Sequence, residues 1–143
     1  MSHERHVAVD LFNSVWTLIG RDDRTPEDDA AMVHAAHASV HHWSKVGTDV
    51  NLVRGEWQVS RVYAVLGRAE PARWHAHRCL QLAERAGLAD WDLAYAHEAL
   101  ARALLVAGDV DGAREQVAKA RAVPIAETDD RELLDKDLAT IAV

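Results

Sequence analysis

The stretch "HAAHASVHH", residues 34–42, contains four of the nine histidines in the chain. In a helix, where successive residues are rotated by about 100°, His34, His37 and His41 lie within about 60° of one another. Three imidazoles on one face could bind zinc if another element supplied a further ligand. The chain has no HExxH motif and no pair of cysteines, however, and "HEAL" at 97–100 is only half of such a motif. We therefore expect neither a metal site nor a bound cofactor.

A second set of polar residues has the spacing of one helical face, with intervals of three, four and three residues. The set comprises Asn51, Arg54, Gln58 and Arg61. Guanidinium groups bind carboxylates and phosphates through two parallel hydrogen bonds. This stripe is therefore a candidate surface for an anionic ligand. The alternative is a solvated helix face whose arginines pair with Glu98 or Asp10.

Glu56 lies within the apolar arc of the same segment, where a carboxylate needs a partner. A turn near Thr48 brings His42 close to Glu56, so either His42 or an arginine is the expected partner. Such a pair could be a structural lock or a site with a shifted pKa, and the sequence leaves both interpretations open.

The composition bounds the class of protein. A chain of 143 residues fits one domain, residues 1–143, and 49% hydrophobic with 27% charged residues is ordinary for a soluble globular protein. With 16 basic and 23 acidic residues, the net charge of −7 makes nucleic acid a poor candidate partner. Cys79 has no second cysteine to pair with and is expected to be a small buried residue. The N-terminus is charged and no run approaches 18 apolar residues, so we expect a cytoplasmic protein without a membrane partner.

Glycine, proline and capping residues divide the chain into seven predicted helices. Their approximate bounds are 3–20, 26–46, 49–67, 71–87, 90–108, 111–122 and 128–141. No segment has the sustained alternation of a β-strand. The connections are short, which predicts antiparallel neighbours and an all-α fold.

These helices repeat in pairs. A shift of 41 residues aligns 61–83 with 102–124, so that Gly67 falls on Gly108. A weaker copy precedes them, with Gly20 aligned with Gly67 at a shift of 47. We therefore predict three stacked antiparallel helix hairpins and a last helix that caps the open end of the shared core.

The segment "LARALLVAGDVDGAREQVAKARAV" resembles a tetratricopeptide repeat. The matching residues are Leu100, Ala101, Leu104, Gly108, Asp109, Ala113, Val117 and Ala120. The spacing here exceeds the usual 34 residues, so these would be long variants. The resemblance implies a TPR-like α–α superhelix whose first helices line a concave, Arg-lined surface. On that surface Arg102 is the repeat equivalent of Arg61, and Tyr95 that of Arg54.

Alignment of the repeats also predicts the surroundings of the histidines. His34 aligns with His75 and Gln116, which is consistent with a polar position that faces solvent. The same comparison places His37 outside, because its equivalents are an arginine and a lysine. His41 aligns with leucine and valine and is expected to be partly buried. His42 is expected at the core edge, hydrogen-bonded in a structural role.

The resulting functional hypothesis is a protein- or peptide-binding module and not an enzyme. The predicted binding residues are Asn51, Arg54, Gln58, Arg61, Tyr95, Glu98 and Arg102. The partner would be a protein or peptide, possibly with acidic character. One alternative is a small-ligand-binding protein or enzyme centred on Glu56, the nearby histidines, Arg54 and Arg61. Another is a homo-oligomeric structural protein that uses exposed tryptophans such as Trp74.

Overall fold

The computed structural model describes residues 2–143. Its seven helices are α1 (His3–Ile19), α2 (Pro26–Val46), α3 (Asp49–Val65), α4 (Ala69–Arg85), α5 (Asp90–Val106), α6 (Val110–Ala122) and α7 (Thr128–Ala139). No β-strand occurs within residues 2–143, so the all-α prediction is confirmed.

Local sequence accounts for where the helices begin. At the start of α2, Thr25 and Asp28 form a reciprocal capping box, in which each side chain accepts a hydrogen bond from the other's backbone N–H. At the start of α6, the side chain of Asp109 accepts from Gly112 N–H at 2.9 Å. Helix α4 begins two residues earlier than predicted, because Pro71 is tolerated within a first turn whose N–H groups have no intrahelical partner.

Three of the predicted helix ends are confirmed by left-handed glycines. Gly67, Gly87 and Gly108 have φ angles of 72°, 68° and 85°. After each glycine the next N–H donates to the carbonyl five residues back, as Arg68 does to Tyr63 at 2.8 Å. Because L side chains rarely adopt this backbone conformation, glycine fixes where each of these helices stops and the chain reverses.

The helices pack as three hairpins, α1–α2, α3–α4 and α5–α6, stacked in sequence order. Successive first helices also touch, since α1 contacts α3, α3 contacts α5 and α5 contacts α7. Leu134 and Leu138 of α7, with Ile141 just beyond its end, are buried in one cluster with residues of α5 and α6. The predicted stack of three hairpins and a capping helix is therefore confirmed. We call the surface formed by α1, α3, α5 and α7 the first-helix face.

Small residues allow this close packing. In α4, the stripe Ala72, Ala76, Cys79 and Ala83 is fully buried, as expected for the single cysteine. The thiol of Cys79 donates to the carbonyl of Val53 at 3.3 Å, and burial raises the pKa of the Cys79 thiol. Between α2 and α3 the close approach is made at glycine.

That approach occurs at Gly55. A Cβ atom added to Gly55 would lie 2.8 Å from Cγ2 of Val40. Glycine at this position therefore sets the distance between the first and second hairpins. The shift of 41 residues also aligns Tyr63 with Leu104, which predicts equivalent buried sites. The two residues do occupy equivalent sites in the second and third hairpins, but both are half-buried. None of the helices within residues 2–143 combines the length and apolar composition needed to cross a membrane.

Candidate functional site

A cavity of about 360 Å³ opens on the first-helix face, between α1, α3, α5 and α7. Five aromatic rings line it: Phe12, Trp16, Trp57, Trp91 and Tyr95. We call it the aromatic cavity. Every helix of the first-helix face contributes lining residues, and those of α7 are Leu133 and Asp137.

The aromatic rings form a continuous series across three helices. Trp16 of α1 lies 5.3 Å from Trp57 of α3, measured between ring centroids. Trp57 in turn lies 5.9 Å from Tyr95 of α5, edge to face. Trp91 lies 4.4 Å from Tyr95 and completes the series. Contacts at these distances hold the rings in place and so give the cavity defined walls.

Charged groups lie at the rim. Arg54 donates two hydrogen bonds to the two carboxylate oxygens of Asp92, at 2.9 and 3.3 Å. The Arg54 side chain is 53% exposed, whereas Asp92 is mostly covered. On the α7 side, the hydroxyl of Tyr95 donates to Oδ2 of Asp137. Burial, together with this bond, raises the pKa of Tyr95, so the hydroxyl keeps its proton.

One turn further along α3 and α5, the polar side chains form hydrogen bonds with one another. Glu98 is fully buried and accepts hydrogen bonds from three side chains. The donors are Trp57 at 2.9 Å, Arg61 at 3.2 Å and Arg102 at 2.9 Å. Burial and the neighbouring Arg102 lower the pKa of Arg61. No space large enough for a water molecule remains among these side chains.

Arg61 and Arg102 thus do lie on adjacent first helices and do converge on one anion, as the repeat alignment predicts. That anion is Glu98 of the same chain, which is the alternative that the sequence left open. Arg102 also donates to the carbonyl of Asp137 and to the hydroxyl of Thr140, so it ties α5 to α7.

The remaining predicted binding residues have different surroundings. Arg54 and Tyr95 line the aromatic cavity. Gln58 is only 1% exposed, because α1 covers it and its amide donates to the carbonyl of Phe12 at 2.9 Å. Asn51 serves the first turn of α3, where its side chain accepts from Thr48 N–H. Of the predicted binding residues, Arg54 and Tyr95 therefore line the cavity, whereas Gln58 and Asn51 serve packing and capping.

Sequence reasoning missed most of the walls of the aromatic cavity. Trp16, Trp57 and Trp91 lie on α1, α3 and α5, one on the first helix of each hairpin. This distribution of three of the five tryptophans was a usable signal. Asp92 and Asp137 carried no comparable signal, because acidic residues are common on solvated helix faces.

The histidine predictions are confirmed in part. His34 and His37 are exposed, as predicted. His37 also has specific contacts, since its Nε2 lies 2.8 Å from the Tyr63 hydroxyl and its ring centroid 5.2 Å from that of His75. His41 is exposed and not partly buried as predicted. Ser39 and Trp43 belong to the buried stripe of α2. Position 41 lies midway between them in the sequence and therefore on the opposite side of the helix.

Glu56 is buried and has a histidine partner, but the partner is not His42. Oε2 of Glu56 lies 2.7 Å from Nδ1 of His75, because Glu56 faces α4 rather than α2. His42 is half-buried and its Nδ1 lies 3.3 Å from a carboxylate oxygen of Glu4 instead. In the third hairpin, the equivalent positions hold His97 and Gln116, whose polar atoms are 2.8 Å apart.

A polar bond between the two helices of a hairpin thus recurs at the same position with different chemistry. This recurrence favours the structural interpretation of the Glu56–His75 pair over a catalytic one. Within residues 2–143, no group of three or more histidine, cysteine or acidic residues is arranged to hold a metal ion.

Comparison of the chain with protein-family models, curated proteins and solved structures finds no match. The fold and the site therefore define the class: an all-α stack of helix hairpins with an aromatic cavity on its first-helix face.

Proposed function

We propose that the protein is a tetratricopeptide-like binding module that holds a segment of a partner protein along the first-helix face. One side chain of that segment would insert into the aromatic cavity. The observation that carries this proposal is the cavity itself, which lies where the resemblance to tetratricopeptide repeats places the binding surface.

The form of the cavity suits a single side chain. Its volume of about 360 Å³ is at the small end of the range for ligand sites. Its rim includes Trp16 and Leu133, which are 39% and 46% exposed, so a chain segment can reach it from solvent. Aromatic residues in such positions dominate the energetics of protein interfaces.

The arginines are less available to bind an acidic segment than the sequence suggested. Binding an external carboxylate at Arg61 and Arg102 would require competition with Glu98, which is fully buried and hydrogen-bonded to both. Arg54 is accessible, but both of its hydrogen bonds go to Asp92. The aromatic cavity is therefore the better candidate for the anchoring site.

A peptide-display selection tests the proposal. A random peptide library is selected on the wild-type protein, and the enriched peptides are then titrated against Trp16→Ala and Leu133→Ala. Both positions line the cavity and are partly exposed, so the substitutions should leave the fold intact. The matched control is Trp74→Ala, which removes a tryptophan that is 57% exposed on α4, away from the cavity.

We expect enriched peptides to bind the wild type and Trp74→Ala equally, and to bind the two cavity variants at least about tenfold more weakly. Circular dichroism would check that all variants remain helical. Failure to enrich any peptide, or peptides that ignore both cavity substitutions, would refute the proposed binding surface.

A further inference from the structure

The chemistry of the aromatic cavity indicates which side chain it accepts, an inference that rests on the proposed function. Three of its five rings are indoles, and indole has the strongest attraction for a cation of the three aromatic side chains. A cation placed on the face of such a ring is attracted by the negative charge density there. An anion on the same face would be repelled.

The charged lining residues point in the same direction. Two carboxylates, Asp92 and Asp137, line the cavity, against one basic residue, Arg54. Arg54 donates two of its five N–H groups to Asp92, so the charges of this pair offset each other. The lining of the cavity thus carries one more carboxylate than basic side chains. Arg61, which lies outside the lining and is bonded to Glu98, is the cation that also interacts with Asp137.

Asp137 is also incompletely bonded. Its Oδ2 accepts from the Tyr95 hydroxyl, whereas its Oδ1 has no hydrogen-bond or ion-pair partner in the part of the chain that the structure describes. A carboxylate oxygen beside aromatic walls is a suitable acceptor for an ammonium or guanidinium group. The net charge of −7 would also draw cations toward the protein.

We propose that the aromatic cavity binds the side chain of a lysine or arginine in the partner segment, with the cationic group close to Asp137 and the alkyl stem against the tryptophans. Long basic side chains combine an apolar stem with a charged end, which matches walls that are mostly aromatic with a carboxylate at one side. The first-helix face then recognises a basic segment.

Nuclear magnetic resonance of the tryptophan indole N–H groups provides a direct test. The probes are Nα-acetyl-lysine amide and Nα-acetyl-arginine amide. Their neutral counterparts are Nα-acetyl-norleucine amide and Nα-acetyl-citrulline amide, and Nα-acetyl-glutamate amide is the anionic probe. The signals of Trp16, Trp57 and Trp91 report on the cavity, while those of Trp43 and Trp74 are internal controls.

We expect the two cationic probes to bind at least about tenfold more tightly than their neutral counterparts, as measured by titrating the shifts of the cavity signals. The control signals should not move. Asp137→Asn should weaken the cationic probes about tenfold, because asparagine keeps an acceptor for Tyr95 but removes the charge. Asp135→Asn, an exposed position on the same helix, makes the same change in net charge and should have no effect.

Equal binding of norleucine and lysine probes would overturn the cationic assignment while leaving an apolar peptide anchor possible. Preference for the glutamate probe would also overturn it. Choline serves as a free cation: if it binds the cavity and neither amino-acid cation does, the site belongs to a small ligand and not to a peptide side chain. The display selection does not depend on any of these outcomes, so the two proposals can fail separately.

Discussion

At the scale of single residues, Glu98 is the most constrained polar group on the first-helix face. It is fully buried and bonded to Trp57, Arg61 and Arg102. Removal of one partner from a buried ion pair leaves a charge without compensation, and this costs more than the pair itself contributes. Glu98 therefore holds two repeats together by accepting hydrogen bonds from an arginine of each.

We predict that Glu98→Ala lowers the free energy of unfolding by roughly 3–5 kcal/mol. The matched control is Asp92→Ala, which breaks the pair with the half-exposed Arg54 and should cost less than about 1 kcal/mol. Urea unfolding followed by circular dichroism measures both. Similar losses in the two variants would show that the buried hydrogen bonds of Glu98 stabilise the fold no more than the partly exposed pair of Arg54 and Asp92.

His37 gives a prediction about pH. Although His37 is exposed overall, its ring lies against Tyr63 and His75. The resulting desolvation, reinforced by the charge of His75, lowers the pKa of His37 below its usual value of 6.5. The folded state thus prefers neutral His37, so its contribution to stability is complete above pH 6.5 and is lost as the pH falls below that value.

The prediction is that His37→Gln reduces the loss of unfolding free energy between about pH 7 and pH 5 relative to the wild type. His34→Gln, one turn earlier on the same exposed side of α2, is the control and should keep the wild-type profile. Urea titrations at several pH values provide the measurement. If both variants keep the wild-type slope, His37 is protonated equally in the folded and unfolded states.

At the scale of helices, the contact between α2 and α3 depends on the missing side chain at Gly55. Alanine would favour the helix by about 1 kcal/mol through its propensity, but its Cβ would lie 2.8 Å from Val40. Overpacking at such a contact typically costs roughly 1–3 kcal/mol, so the steric effect should dominate.

Gly55→Ala should therefore destabilise the wild type, yet be neutral or stabilising in a Val40→Ala background. A double-mutant cycle of unfolding free energies measures this coupling. Additive effects in the cycle would mean that the two helices move apart freely and that Gly55 does not set their distance.

The helices were predictable from the sequence because their signals are local. Gly67, Gly87 and Gly108 act through their own backbone conformation, and Thr25 with Asp28 acts within one turn. The side chains that meet across helices were harder to assign. A stripe at helical spacing contains Gln58 as well as Arg54, and only the packing of α1 against α3 decides that Gln58 is covered. The same limitation applies to Glu56, whose partner depends on which neighbouring helix it faces.

At the scale of the whole molecule, a stack of hairpins with mainly nearest-neighbour contacts should lose structure from its ends. Leu134 lies within the contact of α7 with α5 and α6 and is fully buried, so Leu134→Ala should cost roughly 2–5 kcal/mol locally. Hydrogen exchange followed by mass spectrometry should show faster exchange in α6 and α7, with α1 and α2 unchanged.

Leu133→Ala is the control for that experiment, because the neighbouring leucine is 46% exposed and its loss should leave exchange rates in α6 as they are. A uniform increase along the whole chain in Leu134→Ala would instead indicate that the stack unfolds as one cooperative unit.

The bond between Trp57 and Glu98 joins equivalent positions of successive repeats, since the two residues are 41 positions apart. A bond of this kind requires that the repeats differ. Two copies of the same hairpin stacked on one another would place tryptophan against tryptophan, or glutamate against glutamate. Chemically complementary residues at equivalent positions therefore specify the order in which the hairpins stack. Two chains that exchanged hairpins out of register would leave Glu98 buried without its indole donor, which disfavours such entangled dimers during synthesis and refolding.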